Sequence, residues 1–129
     1  EENPIAVDAN FVTLWGSSEE TIKICLALLN STWSKCYLEL LCTVMGGGAL
    51  KIEASHVRQL LFPKLNRRQL QRLSKYGITI AKKQKITPEL RNAIDATILE
   101  SFTDEERLLM QIRALLRKKL SERGAKYEL

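Results

Sequence analysis

VMGGGALKIEASHVRQLLFP, residues 44–63, is where the chain changes character. Three of its six glycines stand together here, followed by a short apolar alternation, a short helical pattern and a proline. Gly46 is placed to close the preceding helix, because glycine takes the left-handed cap conformation without steric cost. Leu50 and Ile52 alternate with Lys51 and Glu53, which predicts a strand over 49–53. Ser55 caps a short helix over 56–62, and Pro63 stops it. The order helix, glycines, strand, helix points to a helix-rich α+β fold with a few short strands packed against helices. The same order argues against two phosphate-binding motifs. A P-loop needs a Lys-Ser/Thr pair after its glycines, and Gly46-Gly47-Gly48 is followed by Ala49-Leu50. A dinucleotide fingerprint needs its glycines after a strand and before a helix. The glycines are therefore expected to serve as a cap and a close backbone passage.

Towards the N-terminus, Phe11–Trp15 is rich in β-branched and aromatic residues and predicts a strand, which Gly16 ends. Ser17 with Glu20 forms a capping box that starts a helix near Glu19, with Ile22, Leu26 and Leu29 on its apolar face. Asn30-Ser31 interrupts it. A second helix is predicted over Trp33–Val44, where Trp33, Tyr37, Leu40, Leu41 and Val44 recur at spacings of three and four. That aromatic stripe is expected to be core rather than a base-stacking platform.

Towards the C-terminus, Asn66 caps a helix over 67–76 that Gly77 terminates. Arg68, Arg72 and Lys75 share one of its faces, and Leu70 and Leu73 anchor the other side. Residues 78–87, ITIAKKQKIT, have no strong pattern beyond charge and are expected to form a mobile loop. Thr87 then caps a helix with Pro88 at its first position, whose buried face is Leu90, Ile94, Ile98 and Leu99. Thr103 with Glu106 is a further capping box. The last helix, 104–122, buries Leu108, Leu109, Ile112, Leu115, Leu116 and Leu120. These two helices are expected to fold back as an antiparallel hairpin. The expected organisation is thus a first part, 1–86, with the hairpin of 87–129 packed on it as one unit.

With 129 residues, 45% of them apolar, the chain suits one domain with a real core. No apolar run is long enough to cross a bilayer, and the first residues are acidic and polar, so neither a span nor a signal peptide is expected. The start at Glu1-Glu2-Asn3, without Met, suggests a processed chain or a piece of a longer one. Cys25, Cys36 and Cys42 are odd in number and lie in apolar helical surroundings. They are read as buried free thiols in a reducing cytoplasm. No Cys-x-x-Cys pair exists and His56 is the sole histidine, so no zinc site is expected.

The net charge of +5 conceals a sharper pattern. Residues 1–53 carry seven acids and three bases, and residues 89–129 carry eight of each. Between them lie nine bases and no acid: Arg58, Lys64, Arg67, Arg68, Arg72, Lys75, Lys82, Lys83 and Lys85. A concentrated basic segment is the footprint of a polyanion binder; the plainer alternative is a solvated face. Catalytic signals are missing. No carboxylate pair is set up for acid–base work, and no serine or cysteine has a histidine partner with a third group behind it. Asn3-Pro4-Ile5-Ala6 begins like the Asn-Pro-Pro-aromatic signature of amino-methylating enzymes. It lacks the aromatic that would stack on a flipped base, and is read as an extended lead-in to the first strand.

The stretch LALLNSTWSKCYLELLCTVMGGGALKIEASHVRQLLFP resembles the C-terminal part of adenine-specific DNA methyltransferases of restriction–modification systems, of the Taq-like type with a C-terminal specificity domain. The resemblance is carried by Leu28-Leu29-Asn30-Ser31, by Gly46-Gly47-Gly48-Ala49-Leu50-Lys51 and by Leu60-Leu61-Phe62-Pro63, in that order. Arg91, Asp95, Ile98, Leu99 and the acidic cap Thr103-Asp104-Glu105-Glu106 continue it. Each motif is weak alone; order and spacing together make the match more specific, and it covers the chain from about residue 22. It implies a target-recognition module of an enzyme that methylates adenine N6 with S-adenosylmethionine. The cofactor site and catalytic motif would lie in a methyltransferase domain N-terminal to residue 1, so this chain should not methylate alone. The implied partners are double-stranded DNA and that domain, with a further subunit through the C-terminal hairpin.

The residues expected on phosphates are Arg67, Arg68, Arg72, Lys75, Lys82, Lys83 and Lys85, with Lys64 in the same segment. Lys51 and Arg58 flank the glycine step as candidates for base or backbone contact. Arg91 and Asp95, one helical turn apart, are expected to form a surface pair worth ~0.3 kcal/mol. Two other classes compete: a protein–protein docking module built on the 88–122 hairpin, and an RNA-binding module, which suits the charge but lacks an aromatic ribonucleoprotein signature.

Overall fold

The computed structural model describes residues 16–125. The strand expected over 11–15 and the Asn3-Pro4 lead-in lie outside the described residues. Within them the chain is helix-rich α+β. Its elements are α1 (Glu19–Leu29), α2 (Thr32–Leu41), β1 (Thr43–Val44), β2 (Leu50–Lys51), α3 (Ala54–Arg58), α4 (Arg67–Lys83), α5 (Pro88–Leu99) and α6 (Glu105–Glu122). β1 and β2 pair antiparallel, with Thr43 opposite Lys51 and Val44 opposite Leu50.

Helix starts follow local side-chain chemistry. Ser18, one residue after the expected Ser17, accepts from the backbone N–H of Thr21. Ser31 accepts from Ser34, Asn66 from Gln69 and Thr87 from Leu90, each filling an orphan donor of a first turn. α3 starts from Glu53 rather than Ser55, in a reciprocal box with His56, and spans Ala54–Arg58 rather than 56–62. α6 starts after Asp104 without a side-chain cap, so the box expected of Thr103 and Glu106 does not form.

Helix ends depart further from expectation. α2 stops at Leu41, and Thr43–Val44 enters the hairpin instead of the helix. Gly46 therefore caps nothing: the Met45 N–H bonds the Ala49 carbonyl and the Gly48 N–H bonds the Met45 carbonyl, so the three glycines form the turn of the hairpin. The strand expected over 49–53 shortens to Leu50–Lys51. The largest difference is at Gly77, where α4 does not end. It runs on to Lys83 and closes at Gln84, which takes the left-handed conformation with φ 50° and donates to the Ile80 carbonyl. Residues 78–83 are thus helical rather than loop.

Gly77 continues the helix because of what faces it. A β-carbon there would collide with the backbone carbonyl of Lys23 in α1. Interior glycine weakens a helix by about 1 kcal/mol, but here it lets α1 and α4 pack backbone against backbone. The two helices run in the same direction. Glu20 and Ile24 lie beside Arg67, Leu70 and Gln71 at one end, and Leu26 and Asn30 beside Ile80, Ala81 and Gln84 at the other.

The main core joins Ala27 and Leu28 of α1, Leu73 and Ile80 of α4, and Ile94, Ile98 and Leu99 of α5. Each large aliphatic residue buried there stabilises the fold by about 1.5–3 kcal/mol relative to exposure. Trp33 packs against this cluster and donates its indole N–H to the Leu61 carbonyl at 2.8 Å, but Leu40 and Val44 of the same expected stripe are exposed, so the stripe is core only in part. A second cluster joins Cys36 of α2 to Leu116 and Leu120 of α6. α6 returns alongside α5, with Arg113 reaching Asn92 at 2.7 Å, and packs more extensively on α2.

Asp95 corrects the expected surface pair. It is 2% exposed. Its carboxylate accepts the Thr32 N–H at 2.8 Å and the Thr32 hydroxyl at 2.5 Å, and Arg113 approaches to 3.5 Å. The α1–α2 turn it closes is buried and polar. The hydroxyls of Ser31 and Ser34 both donate to the Leu28 carbonyl, and the Asn30 amide donates to Leu26. Buried donors and acceptors without partners would cost about 1–3 kcal/mol each, so this turn depends on its complete set of bonds. Leu28–Ser31 and Asp95, far apart in the sequence, are thereby parts of one structural lock.

Candidate nucleic-acid interface

Extension of α4 through Gly77 gives the basic segment its geometry. At 100° per residue, Arg68, Arg72, Lys75, Thr79 and Lys82 fall at successive spacings of four and three on one face. Gln69, Leu73, Gly77 and Ile80 are buried on the opposite face. From Arg68 to Lys82 the stripe runs about 21 Å at 1.5 Å per residue. Arg67, Arg68, Lys75, Lys82 and Lys83 are exposed, as are Lys64 before the helix and Lys85 just after it.

Arg72 differs from its neighbours. It is half-buried and forms a close ion pair with Glu100 at the end of α5. Beside it, Gln69 donates its side-chain amide to the Thr97 carbonyl at 2.9 Å and to the Ser101 hydroxyl at 3.2 Å. Together these bonds seat the first two turns of α4 on α5. Since surface pairs contribute only about 0–1 kcal/mol, the buried Gln69 bonds hold the seat and the Arg72 pair sets local charge.

The other expected site residues belong elsewhere. Lys51 lies in β2 and pairs with Glu53 at 3.2 Å. Arg58 is exposed at the end of α3, which packs on α2. Gly46, Gly47 and Gly48 turn the hairpin, which is fastened to α6 rather than to α4. Arg123 grips Glu39 through Nε and Nη2 at 2.5–3.1 Å and donates from Nη1 to the Gly48 carbonyl at 2.9 Å. The Glu39 hydrogen bonds raise the Arg123 pKa, against a smaller opposing effect of burial. The structure therefore gathers Arg67, Arg68, Arg72, Lys75, Lys82 and Lys83 on one helix and leaves Lys51, Arg58 and the glycines outside that group.

Burial holds the Cys36 and Cys42 thiols above the ordinary range, with Glu39 adding to both, and all three cysteines are free. Burial, then Arg91, lowers Lys35. Among the described residues no cluster of His, Cys, Asp and Glu could hold a metal ion, and no helix is long and apolar enough to cross a membrane. Comparison of the chain with family models, curated proteins and solved structures finds no match.

Proposed function

We propose that this chain is the DNA-binding specificity module of a site-specific adenine-N6 DNA methyltransferase, non-catalytic by itself. The observation that carries the binding half of this reading is the set of exposed bases on α4, Arg67, Arg68, Lys75, Lys82 and Lys83, drawn from a segment with nine bases and no acid. The sequence resemblance carries the methyltransferase half. In this reading the methyl donor, S-adenosylmethionine, and the transfer chemistry belong to a preceding catalytic domain in the same protein, and the setting is the cytoplasm. The chain's own contribution is to hold the duplex. Flipping an adenine out of the stack costs a few kcal/mol, and a second grip on the backbone offsets that cost.

The test is fluorescence anisotropy of the chain on a mixed-sequence duplex, titrated with salt. A variant carrying Lys75→Glu, Lys82→Glu and Lys83→Glu runs beside it. The expected result is binding that weakens steeply with salt, and a variant whose log–log slope is smaller by about 2 to 3 units. These lysines are exposed, so the variant keeps its unfolding temperature. No binding at low salt would sink the reading.

A docking module is the competing reading. It is favoured by exposed apolar side chains at the end of α2 and in the hairpin: Leu40, Val44, Met45 and Ile52. Self-association that survives high salt, without DNA affinity, would select it.

A further inference from the structure

We infer that α4 is a recognition helix lying in the major groove of duplex DNA. Arg68, Gln71 and Ile78 read base edges, and Lys82, Lys83 and Lys85 hold the backbone. This rests on the proposed DNA-binding function and adds a division of labour along one helix.

The first support is the make-up of the outward face. Arg67, Arg68, Gln71, Lys75, Ile78 and Lys82 are all exposed and recur at spacings of one, three and four, a sector of about 100°. A face that met only phosphates would need nothing but cations. This one sets an arginine, a primary amide and an isoleucine among them. Those three groups match what the major groove displays: arginine pairs with guanine O6 and N7, glutamine with adenine N6 and N7, and an apolar side chain with the thymine methyl. Gln71 and Ile78 lie two turns apart, about 10.5 Å, or roughly three base pairs at 3.4 Å each.

The second support is the charge on the helix flanks. Glu20 of α1 lines the same surface depression as Arg67 and Gln71, and Glu100 of α5 pairs with Arg72. The first half of α4 thus has a carboxylate on either side. These carboxylates offset part of the positive charge of Arg67, Arg68 and Arg72, so a phosphate is held less strongly there, whereas an uncharged base edge is not affected. The second half is different: beside Ile80, Ala81, Gln84 and Lys85 lie Leu26 and Asn30, with no carboxylate among the described residues that line that depression. Phosphates are accepted at that end.

The third support is rigidity. Base reading needs side chains carried on a fixed element. α4 is fixed on both flanks, by Gly77 against the Lys23 backbone and by Gln69 on Thr97 and Ser101.

The experiment is selection of bound duplexes from a randomised library with the full 129-residue chain. Gln71→Ala, Arg68→Ala and the double variant Lys82→Ala/Lys83→Ala are run in parallel, with unfolding curves to confirm that all fold. Wild type is expected to enrich a defined site. Gln71→Ala and Arg68→Ala should each flatten the preference at one or two adjacent positions, lowering discrimination on the order of tenfold or more, with Gln71→Ala leaving the salt slope unchanged. The double lysine variant should weaken all sequences alike and lower the slope by about 2 units. Steep salt dependence without any enriched sequence, or unchanged preferences in both reading variants, overturns the inference while leaving polyanion binding intact. Absence of any binding at low salt overturns both.

Discussion

The two glycine regions of this molecule look opposite in the sequence and exchange roles in the structure. Gly46-Gly47-Gly48 is the conspicuous one, three in a row. Yet a β-carbon at Gly46 or Gly47 would meet nothing within 4 Å. Gly48 alone is constrained there, by a φ of +82° and by the Arg123 carbonyl oxygen, 2.5 Å from where its β-carbon would stand. Gly77 is solitary and sits where a helix was expected to stop. It is the point at which α1 and α4 touch through their backbones. A run of glycines can mark a tolerant turn, and a lone glycine can mark the closest approach in the core.

Substitution should rank the sites accordingly. Gly77→Ala drives a methyl group into the α1 backbone, and should cost about 3 kcal/mol in urea unfolding, at the upper end of typical overpacking penalties. Amide exchange should report separation of α1 from α4. A cost below about 1 kcal/mol would mean that the helices part without loss and the contrast fails. Gly48→Ala meets two obstacles at once, the left-handed backbone and the Arg123 carbonyl. About 2 kcal/mol is expected, with weaker amide protection in β1 and β2. Gly46→Ala and Gly47→Ala should change stability by no more than about 0.5 kcal/mol. A large loss at either would restore a structural role to the whole triplet.

What the sequence made legible follows the range of the forces involved. Asn66 and Thr87 announce helix starts because a side-chain oxygen bonds a backbone N–H three residues away. The helix-rich α+β class and the apolar faces of α5 and α6 follow from periodicity, which is also local. The end of α4 was not legible, because Lys23, 54 residues earlier, decides whether Gly77 stops a helix or packs one. Asp95 was misjudged for the same reason. Arg91 is its neighbour along the helix, but what ties Asp95 into the interior is Thr32, 63 residues away. The basic residues of the candidate interface could be named individually from the letters. Their alignment could not, since it depends on α4 continuing through residues 78–83. Gln71, Ile78 and Glu100 went unnoticed because exposure and the ion pair with Arg72 belong to tertiary structure.

The lock between Asp95 and Thr32 also orders events during synthesis. A ribosome that has made only α1 and α2 has produced a turn whose closing carboxylate does not yet exist. Serine and asparagine can bond within the turn at once, but the first N–H and the hydroxyl of Thr32 must remain with water until α5 emerges. The turn between α1 and α2 is therefore completed by a group from the second half of the polypeptide. α5 carries that carboxylate beside Ile94 and Ile98, so the helix whose docking buries those side chains also brings the turn its acceptor.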